Sequence, residues 1–484
     1  MMSKFQNIQF YKERKTYKLL PFKFDYFEEN KVILTNMVGQ YQLTEIENLE
    51  LIINKKPLNE KLEGDLRAKQ FIYYDGEVAP KELLGLKLRT RYSRLSEFTS
   101  LHIFVVTLRC DHSCPYCQVS RQSENKSTFD MTKEMADAGI DFVFQSPSNA
   151  IKIEFQGGEP LLNFEMVKYI VQKSKERNIS VGKNLQFVIA TTMSLLTDEI
   201  LDFCKEHSIL ISSSLDGPEE LHNKNRPRKE RDSYQRFISG LNKAREKLGF
   251  DQVSALMTTT EDSLNHPLEI IDEYLKLGFD SIFLRPLSPY GFAIKTKKFL
   301  TYQADRWFDF YKKGLDYIIE LNKKNIPFYE SYTSVILKKI LTSDDAGYVD
   351  LMNPAGIGIA AIVFNYDGNV FASDESRMLA EMNDMRFKLG NLLEDSYEDI
   401  MLSDNLLDTL DDAFTLSMPM CNDCVYESYC GSDPIYHHAM QKDIVGIKTE
   451  SDFCRKNMGI FKYLIQLMES DPVVKNIFMN WANR

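Results

Sequence analysis

Three cysteines at C-x3-C-x2-C spacing constrain this chain more than any other feature of its sequence. Cys110, Cys114 and Cys117 follow residues 102–108, an apolar segment that predicts a strand. Three thiolates can hold three irons of a cubic iron–sulfur cluster, which leaves the fourth iron without a protein ligand. Clusters that only pass electrons usually have four cysteine ligands, so the spacing predicts an iron open to a small chelating molecule. A structural zinc knuckle is the alternative, although zinc sites generally use four ligands.

Length and charge limit the class of protein. The chain has 484 residues, which is too long for one ordinary core, so two or three domains are expected. Its formal net charge of -11 argues against a nucleic-acid partner, because the surface as a whole repels phosphate. The amino terminus lacks the apolar core of a signal peptide, and no run of about 18 apolar residues occurs. We therefore expect a cytoplasmic protein without a membrane partner.

The eight cysteines point to metal binding rather than to disulfides, because seven of them fall into two groups. Cys204 stands alone in a helical pattern and is expected to be a small buried residue. The second group has C-x2-C-x5-C spacing followed by one later cysteine. Its members are Cys421, Cys424, Cys430 and Cys454.

Residues 1–75 are expected to form a separate module. A capping box is predicted at Thr44 and Glu47, ahead of the first helix. The pattern of a hairpin with helices is typical of a winged-helix fold, and a simple packing extension is the alternative. Two strands, two short helices and a closing strand are expected at residues 31–36, 40–43, 44–53, 58–66 and 71–74.

Apolar strand-like runs alternate with helical patterns across residues 98–325, after a linker at 76–97. This alternation indicates βα units and a parallel sheet. Six units are too few for a closed eight-stranded barrel, so we expect a partial (β/α)6 barrel with its working groups at the carboxyl ends of the strands. The strands are predicted at residues 102–108, 151–156, 186–191, 209–214, 252–257 and 281–285.

A second motif follows the second predicted strand and consists of Gly157, Gly158, Glu159 and Pro160. Paired glycines let a backbone approach a ligand closely, and a carboxylate beside them can accept hydrogen bonds from an ammonium. With this motif one strand after the cysteine run, the chain resembles the radical S-adenosylmethionine (SAM) enzymes. The resemblance implies that the open iron binds SAM and that these four residues line the SAM site. It also implies a 5'-deoxyadenosyl radical that removes a hydrogen atom from the substrate.

Further SAM contacts are implied by the same resemblance. Tyr116 matches the aromatic residue that lies near the adenine. Ser214 begins a segment that matches the contacts to the methionine carboxylate and ribose, and Arg226 follows it with the planar fork that suits a carboxylate. Residues 191–193 read Thr-Thr-Met where relatives often carry Thr-Asn-Gly, so the resemblance does not extend to a ribose contact there.

The second cysteine group resembles the outer site of the auxiliary-cluster extension called SPASM. Full members hold two extra clusters, and the cysteines of the inner one are missing here at residues 354–356, 372–374 and 431–434. The resemblance therefore implies two [4Fe-4S] clusters, one that binds SAM and one auxiliary, with tetrahedral zinc as the competing view of the second site. We hypothesise that Asp374 or Glu375, in the space left by the inner cluster, accepts a proton or contacts the substrate. A solvated turn is the alternative.

The carboxyl-terminal part divides at residue 415. Residues 326–415 are expected to form a bridging region that contains a hairpin with an Asp367-Gly368 turn. Residues 416–484 are expected to form the auxiliary-cluster domain with a terminal helix.

Five segments resemble one member of the radical SAM enzymes more specifically, the radical maturase of the His-Xaa-Ser peptide system. They are residues 20–24, 284–292, 366–368, 373–381 and 430–437. This resemblance implies a ribosomally made precursor peptide held by the amino-terminal module and a companion radical SAM enzyme. A flavodoxin or ferredoxin is expected to donate electrons. The alternatives are a protein maturase of the sulfatase-activating kind and a non-catalytic protein that binds zinc and peptide.

Overall fold

The computed structural model describes residues 16–124, 127–297, 299 and 304–484, so the first 15 residues of the expected amino-terminal module lie outside the described residues. Within the described residues, no helix has the length and apolar character needed to cross a membrane.

The amino-terminal module contains a three-stranded antiparallel sheet and a separate strand pair. Its core buries Leu34, Ile52 and Leu66, which come from the sheet and both helices. The elements are β1 (Tyr17–Leu19), β2 (Phe22–Glu28), β3 (Lys31–Asn36), β4 (Tyr41–Glu45), α1 (Ile46–Ile53), α2 (Glu60–Ala68) and β5 (Ile72–Tyr74), with β1 paired to β5 and the sheet order β2-β3-β4.

The predicted hairpin and helices of this module are confirmed, but the predicted capping box is wrong. Thr44 lies in β4, where it pairs with Val32. Residue Glu45 occupies the N-cap position of α1 and makes no side-chain cap. The chain passes directly from strand to helix because the Ile46 N–H donates to the carbonyl of Asn30.

An eight-stranded sheet follows, in the order β10-β9-β8-β7-β6-β13-β14-β15. Its first six strands in this order run parallel, and the last two are antiparallel. The strands are β6 (Leu101–Thr107), β7 (Ala150–Gly157), β8 (Asn184–Thr191), β9 (Leu210–Ser214), β10 (Val253–Leu256), β13 (Ala361–Phe364), β14 (Asn369–Phe371) and β15 (Lys388–Asn391).

Helices connect the parallel strands, so the predicted α/β class and partial barrel are confirmed. Each packs one apolar face on the sheet; α5, for example, buries Met166, Val167, Ile170 and Val171 at helical spacing. The helices between residues 79 and 276 are α3 (Ala79–Arg91), α4 (Lys133–Gln145), α5 (Phe164–Val181), α6 (Asp198–His207), α7 (Glu219–Asn225), α8 (Ser233–Leu248) and α9 (Pro267–Lys276).

The sixth predicted strand differs from expectation. Only β11 (Ser281–Ile282) forms, and it pairs with β12 (Tyr329–Glu330) in a separate two-stranded sheet. The backbone N–H of Leu284 donates instead to the buried carboxylate of Glu330 at 3.0 Å, so a side chain replaces the strand partner. The place beside β6 is taken by β13, which belongs to the predicted Asp367-Gly368 hairpin.

The carboxyl-terminal half is mainly helical. Its longest helices are packed through faces such as Ile460, Phe461 and Leu464 of α17, which are fully buried. The helices are α10 (Phe292–Lys295), α11 (Ala304–Lys323), α12 (Ser331–Leu341), α13 (Asp374–Ala380), α14 (Tyr397–Met401), α15 (Asp404–Asp412), α16 (Pro434–Gln441), α17 (Asp452–Ser470) and α18 (Pro472–Ala482).

Arg91 joins the amino-terminal module to the second cysteine segment. Its guanidinium donates to the carbonyls of Val38, Lys339 and Ser428 at 2.6 to 2.9 Å. The hydroxyl of Tyr429 donates to the Gly39 carbonyl at 2.6 Å. The turn between β3 and β4 is therefore fixed against the chain between Cys424 and Cys430.

Candidate active site

The carboxyl ends of the parallel strands surround a cavity of about 280 Å³. Cys110, Cys114 and Cys117 all line it, in the loop after β6. Burial raises the pKa of the Cys114 thiol to about 12, and burial also raises the pKa of Cys110. These thiols therefore favour the protonated form unless a bound metal deprotonates them, as metal ligation does.

The cavity wall presents three thiols, and no fourth cysteine lines it among the described residues. A structural zinc site generally uses four protein ligands, so a metal group held by these thiols keeps a position open for another molecule. Cys110, Asp111 and His112 also place one ligand atom each within 4.8 Å of one another.

Gly157 and Gly158 line this cavity, and the backbone behind them explains why both are glycine. A Cβ on Gly157 would lie 2.0 Å from the carbonyl oxygen of Thr107, and one on Gly158 would lie 2.2 Å from that of Arg109. Any side chain would push β7 away from the loop that carries the cysteines. The glycines thus set the position of the first cysteine relative to β7.

Glu159 and Pro160 lie buried behind the cavity wall rather than on it. The Glu159 carboxylate accepts hydrogen bonds from the Thr191 hydroxyl at 2.7 Å and from the Thr192 N–H and hydroxyl at 2.8 Å. It also caps its own segment through the Leu161 N–H. In this structure it ties the end of β7 to the end of β8.

Asp216 organises the other predicted SAM contacts, and sequence reasoning did not single it out. Its fully buried carboxylate accepts from the Tyr116 hydroxyl at 2.6 Å and from two nitrogens of Arg226 at 3.0 Å. Tyr116, Arg226 and Ser214 all line the cavity. The predicted residues are thus brought together, with one edge of the Arg226 fork already held by Asp216. The Asp-Gly pair after a strand was the available sequence signal.

A chain of hydrogen bonds links the cysteine loop to Asp216. Nε2 of His112 and Nε2 of His222 lie 2.9 and 3.0 Å from the hydroxyl of Ser233. At the far ends, His112 Nδ1 lies 2.8 Å from Asp111, and the Asp216 N–H donates to His222 Nδ1 at 3.4 Å.

The directions of two bonds in this chain follow from its ends. The Nδ1–H of His112 donates to the Asp111 carboxylate, because a carboxylate oxygen accepts. His222 accepts at Nδ1, so its Nε2–H donates to Ser233. Burial lowers the pKa of His222 to about 3, in accord with a neutral ring.

We predict that Ser233→Ala lowers the free energy of unfolding by about 1–3 kcal/mol, because it leaves buried imidazole nitrogens unpaired. Anaerobic denaturant unfolding measures this change. The exposed Ser180→Ala is the matched control, with an expected change below about 0.5 kcal/mol. Equal changes in the two variants would show that the hydrogen-bond chain carries no stability.

Asp374 and Glu375 occupy the first turn of α13, which begins at a capping box of Ser373 and Ser376, so the alternative of a solvated turn does not hold. Asp374 lines the first cavity and pairs with Arg377 at 3.1 Å. Burial raises the pKa of Glu375 to about 7, and the nearby carboxylates of Asp350 and Asp374 add to the effect.

The second cysteine group lines another cavity of about 520 Å³. Phe24 and Asp25 of β2 form part of its wall, so the amino-terminal sheet lies directly beside it. Lys448 also lines it; burial lowers the pKa of Lys448, while the nearby thiols oppose that change as they ionise. The cysteines on this wall are Cys421, Cys424, Cys430 and Cys454.

The fold and the first cavity define an α/β enzyme with three cysteines at the carboxyl ends of parallel strands. Residues 104–274 match the family model described as the radical SAM superfamily. A protein of Methanothermobacter thermautotrophicus is 30% identical over 193 residues, or 39% of this chain and 69% of that protein. The chain belongs to the radical SAM superfamily.

Other relatives match over different lengths. A cysteine-type anaerobic sulfatase-maturating enzyme of Clostridium perfringens is 26% identical over 313 residues, or 60% of this chain and 79% of that enzyme. A protein of Methanocaldococcus jannaschii is 37% identical over 117 residues, which span 24% of this chain and only 38% of that protein.

Two solved structures share the fold. The structure titled native anSMEcpe with bound AdoMet has a TM-score of 0.63 at 17% identity and covers 79% of this chain and 99% of that one. Streptococcus suis SuiB bound to precursor peptide SuiA has a TM-score of 0.52 at 16% identity, with coverage of 89% and 98%.

Proposed function

We propose that this radical SAM enzyme modifies a ribosomally made precursor peptide of the His-Xaa-Ser type by hydrogen abstraction. The observation that carries the proposal is the arrangement of three parts in one chain: the three-cysteine cavity, the second cysteine group and a sheet edge beside that group. SuiB, whose fold is shared, was solved with its precursor peptide.

Cys110, Cys114 and Cys117 would hold the SAM-binding cluster, and the cavity wall of Tyr116 and Arg226 would face SAM. When bound, the cluster and SAM supply a 5'-deoxyadenosyl radical, and the protein supplies position and exclusion of water. A flavodoxin or ferredoxin is the proposed electron donor, and a second radical SAM enzyme is the proposed companion.

The second cysteine group, whose four thiols line one cavity, would hold an auxiliary [4Fe-4S] cluster rather than zinc. We predict about eight irons per chain after anaerobic reconstitution, because two four-iron clusters form. Replacing Cys421 and Cys454 by alanine should lower the iron to about four per chain. Zinc in place of that iron would contradict the assignment.

The edge of β2 is the proposed site for the precursor. In the described part of the sheet β2 is an edge strand, and it presents Phe24 and Tyr26 with 49% and 73% of their surfaces exposed. An extended peptide can add a strand to such an edge and gain contacts with exposed aromatic rings.

We predict that Tyr26→Glu weakens precursor binding about tenfold, because it replaces an exposed aromatic anchor by a charge. Fluorescence anisotropy with a labelled precursor measures the change. Ile179→Glu, on the distant α5 and 87% exposed in the parent chain, is the matched control. If both variants bind equally well, the β2 edge is not the peptide site.

A protein maturase of the sulfatase-activating kind is the second candidate, favoured by the relative from Clostridium perfringens. Its test uses the same enzyme with a sulfatase-derived peptide instead of the His-Xaa-Ser precursor. Mass spectrometry of both peptides after reaction distinguishes the two substrates.

A further inference from the structure

A separate cavity of about 80 Å³, here named the charged cavity, lies beside the first one. Its wall includes the aromatic rings of Trp307, Tyr332 and Phe453. It touches the first cavity, because Arg285 lines both and because Glu375 follows Asp374 in α13. The charged residues that line it are Arg285, Asp350, Glu375, Asp433, Asp452 and Lys456.

Across this space Arg285 and Glu375 make one long ion pair, at 3.9 Å. The Asp433 carboxylate accepts a hydrogen bond from the Tyr436 N–H at 2.9 Å. Within the described part of the chain, Lys456 has no carboxylate oxygen within 4.0 Å, although Asp350 and Asp433 both act on its charge. Buried charges are usually paired or hydrogen-bonded, so the space between them suits a polar group that contacts both signs.

Trp307 adds a flat apolar ring to this wall, and only 1% of the residue is exposed. The Lys456 ammonium lies 5.8 Å from the centre of the Trp307 ring and 5.2 Å from that of Phe453. Donors and flat apolar surfaces thus stand opposite carboxylates.

We infer that the charged cavity is a substrate subsite for a planar, uncharged side chain that both donates and accepts hydrogen bonds, namely an imidazole or a carboxamide. Its acceptor would meet Lys456, and its N–H would meet Asp350 or Asp433. Because cations and carboxylates share this wall, a neutral group that both donates and accepts finds a partner of each kind. The inference rests on the proposed function, since it assigns a residue of the peptide to this cavity.

The test uses the intact, reconstituted chain and three probes that carry the side-chain group alone: 4-methylimidazole in its neutral form (the histidine probe), propanamide (the glutamine probe) and 2-methylpropane (the leucine probe). The chain has two tryptophans, so Trp481→Phe leaves Trp307 as the only fluorescent reporter of that type. The histidine or glutamine probe should bind at least about tenfold more tightly than the leucine probe, because an apolar side chain leaves the buried groups unpaired. The tighter of the two identifies the side chain.

Lys456→Met, added to Trp481→Phe, removes the cation and keeps the length of the side chain. The preferred probe should then bind about tenfold more weakly, with little change for the leucine probe. If Lys456→Met does not fold, Asp350→Asn is the second variant. Saturation-transfer NMR then measures the binding of the probes to it. Equal binding of the three probes, or binding of none while SAM still binds, would overturn the inference. Probe binding without modification of the precursor would instead count against the proposed function alone.

Discussion

Replacing Cys110, Cys114 and Cys117 together by alanine should abolish the formation of 5'-deoxyadenosine from SAM. The three thiols line one cavity, and no other cysteine lines it among the described residues. Without these thiols the proposed SAM-binding cluster has no cysteine ligands in this cavity. We therefore expect no 5'-deoxyadenosine to form. Anaerobic reaction with a strong reductant, followed by chromatography of the nucleoside, measures it.

Cys204→Ala is the matched control for this experiment. Cys204 is fully buried in α6 and belongs to neither cysteine group. The control should keep the iron content and the cleavage of SAM. Persistent 5'-deoxyadenosine in the triple variant would refute the assignment of the first cysteine group.

Glu375→Gln should lower the yield of modified peptide by about 10²- to 10⁴-fold, which is the usual contribution of a general base. Glu375 stands in the first turn of α13, next to Asp374, which lines the cavity of the first cysteine group. The variant should still form 5'-deoxyadenosine, because cleavage of SAM does not need this carboxylate. The measurement is the ratio of modified peptide to 5'-deoxyadenosine.

The pH dependence of the same reaction provides an independent check. Burial raises the pKa of Glu375 to about 7, with Asp350 and Asp374 adding to it. A base must be ionised, so peptide modification should be slow at pH 6, rise through about pH 7 and level off above pH 8. In Glu375→Gln this rise should be absent.

Glu381→Gln is the control for both measurements. Glu381 lies at the end of α13 and its pKa is also raised by burial, but it lines neither the first cavity nor the charged cavity. It should retain the parent yield and the parent pH profile. If Glu381→Gln loses as much product as Glu375→Gln, the loss is due to damage of the helix and not to a missing base.

Local patterns in the sequence were sufficient for much of the fold. Alternation of apolar strands and helices predicted the five parallel strands from β6 to β10, and the Asp367-Gly368 pair predicted the hairpin. The prediction of the sixth strand failed where a side chain distant in sequence accepts the backbone hydrogen bond. Glu330 replaced the strand partner of Leu284, so the sixth strand left the sheet.

The candidate site likewise has some features that the sequence predicted and others that it did not. The cysteine spacing and the Gly157-Gly158 pair were readable, because each is a short run with its own chemistry. The role of Asp216 was not, because its partners Tyr116, Arg226 and Thr258 meet it only after the strands align.

The sequence alone indicated the two cysteine groups and the Gly157-Gly158 pair, since ligand spacing and strand ends are local properties of the chain. Tertiary structure alone decided what surrounds them. Asp350, Asp433 and Lys456 come from three separate segments, and their charges face one cavity only because α16 and α17 pack beside the barrel. Burial in that packing changes their proton affinity, and no local pattern encodes burial of this kind.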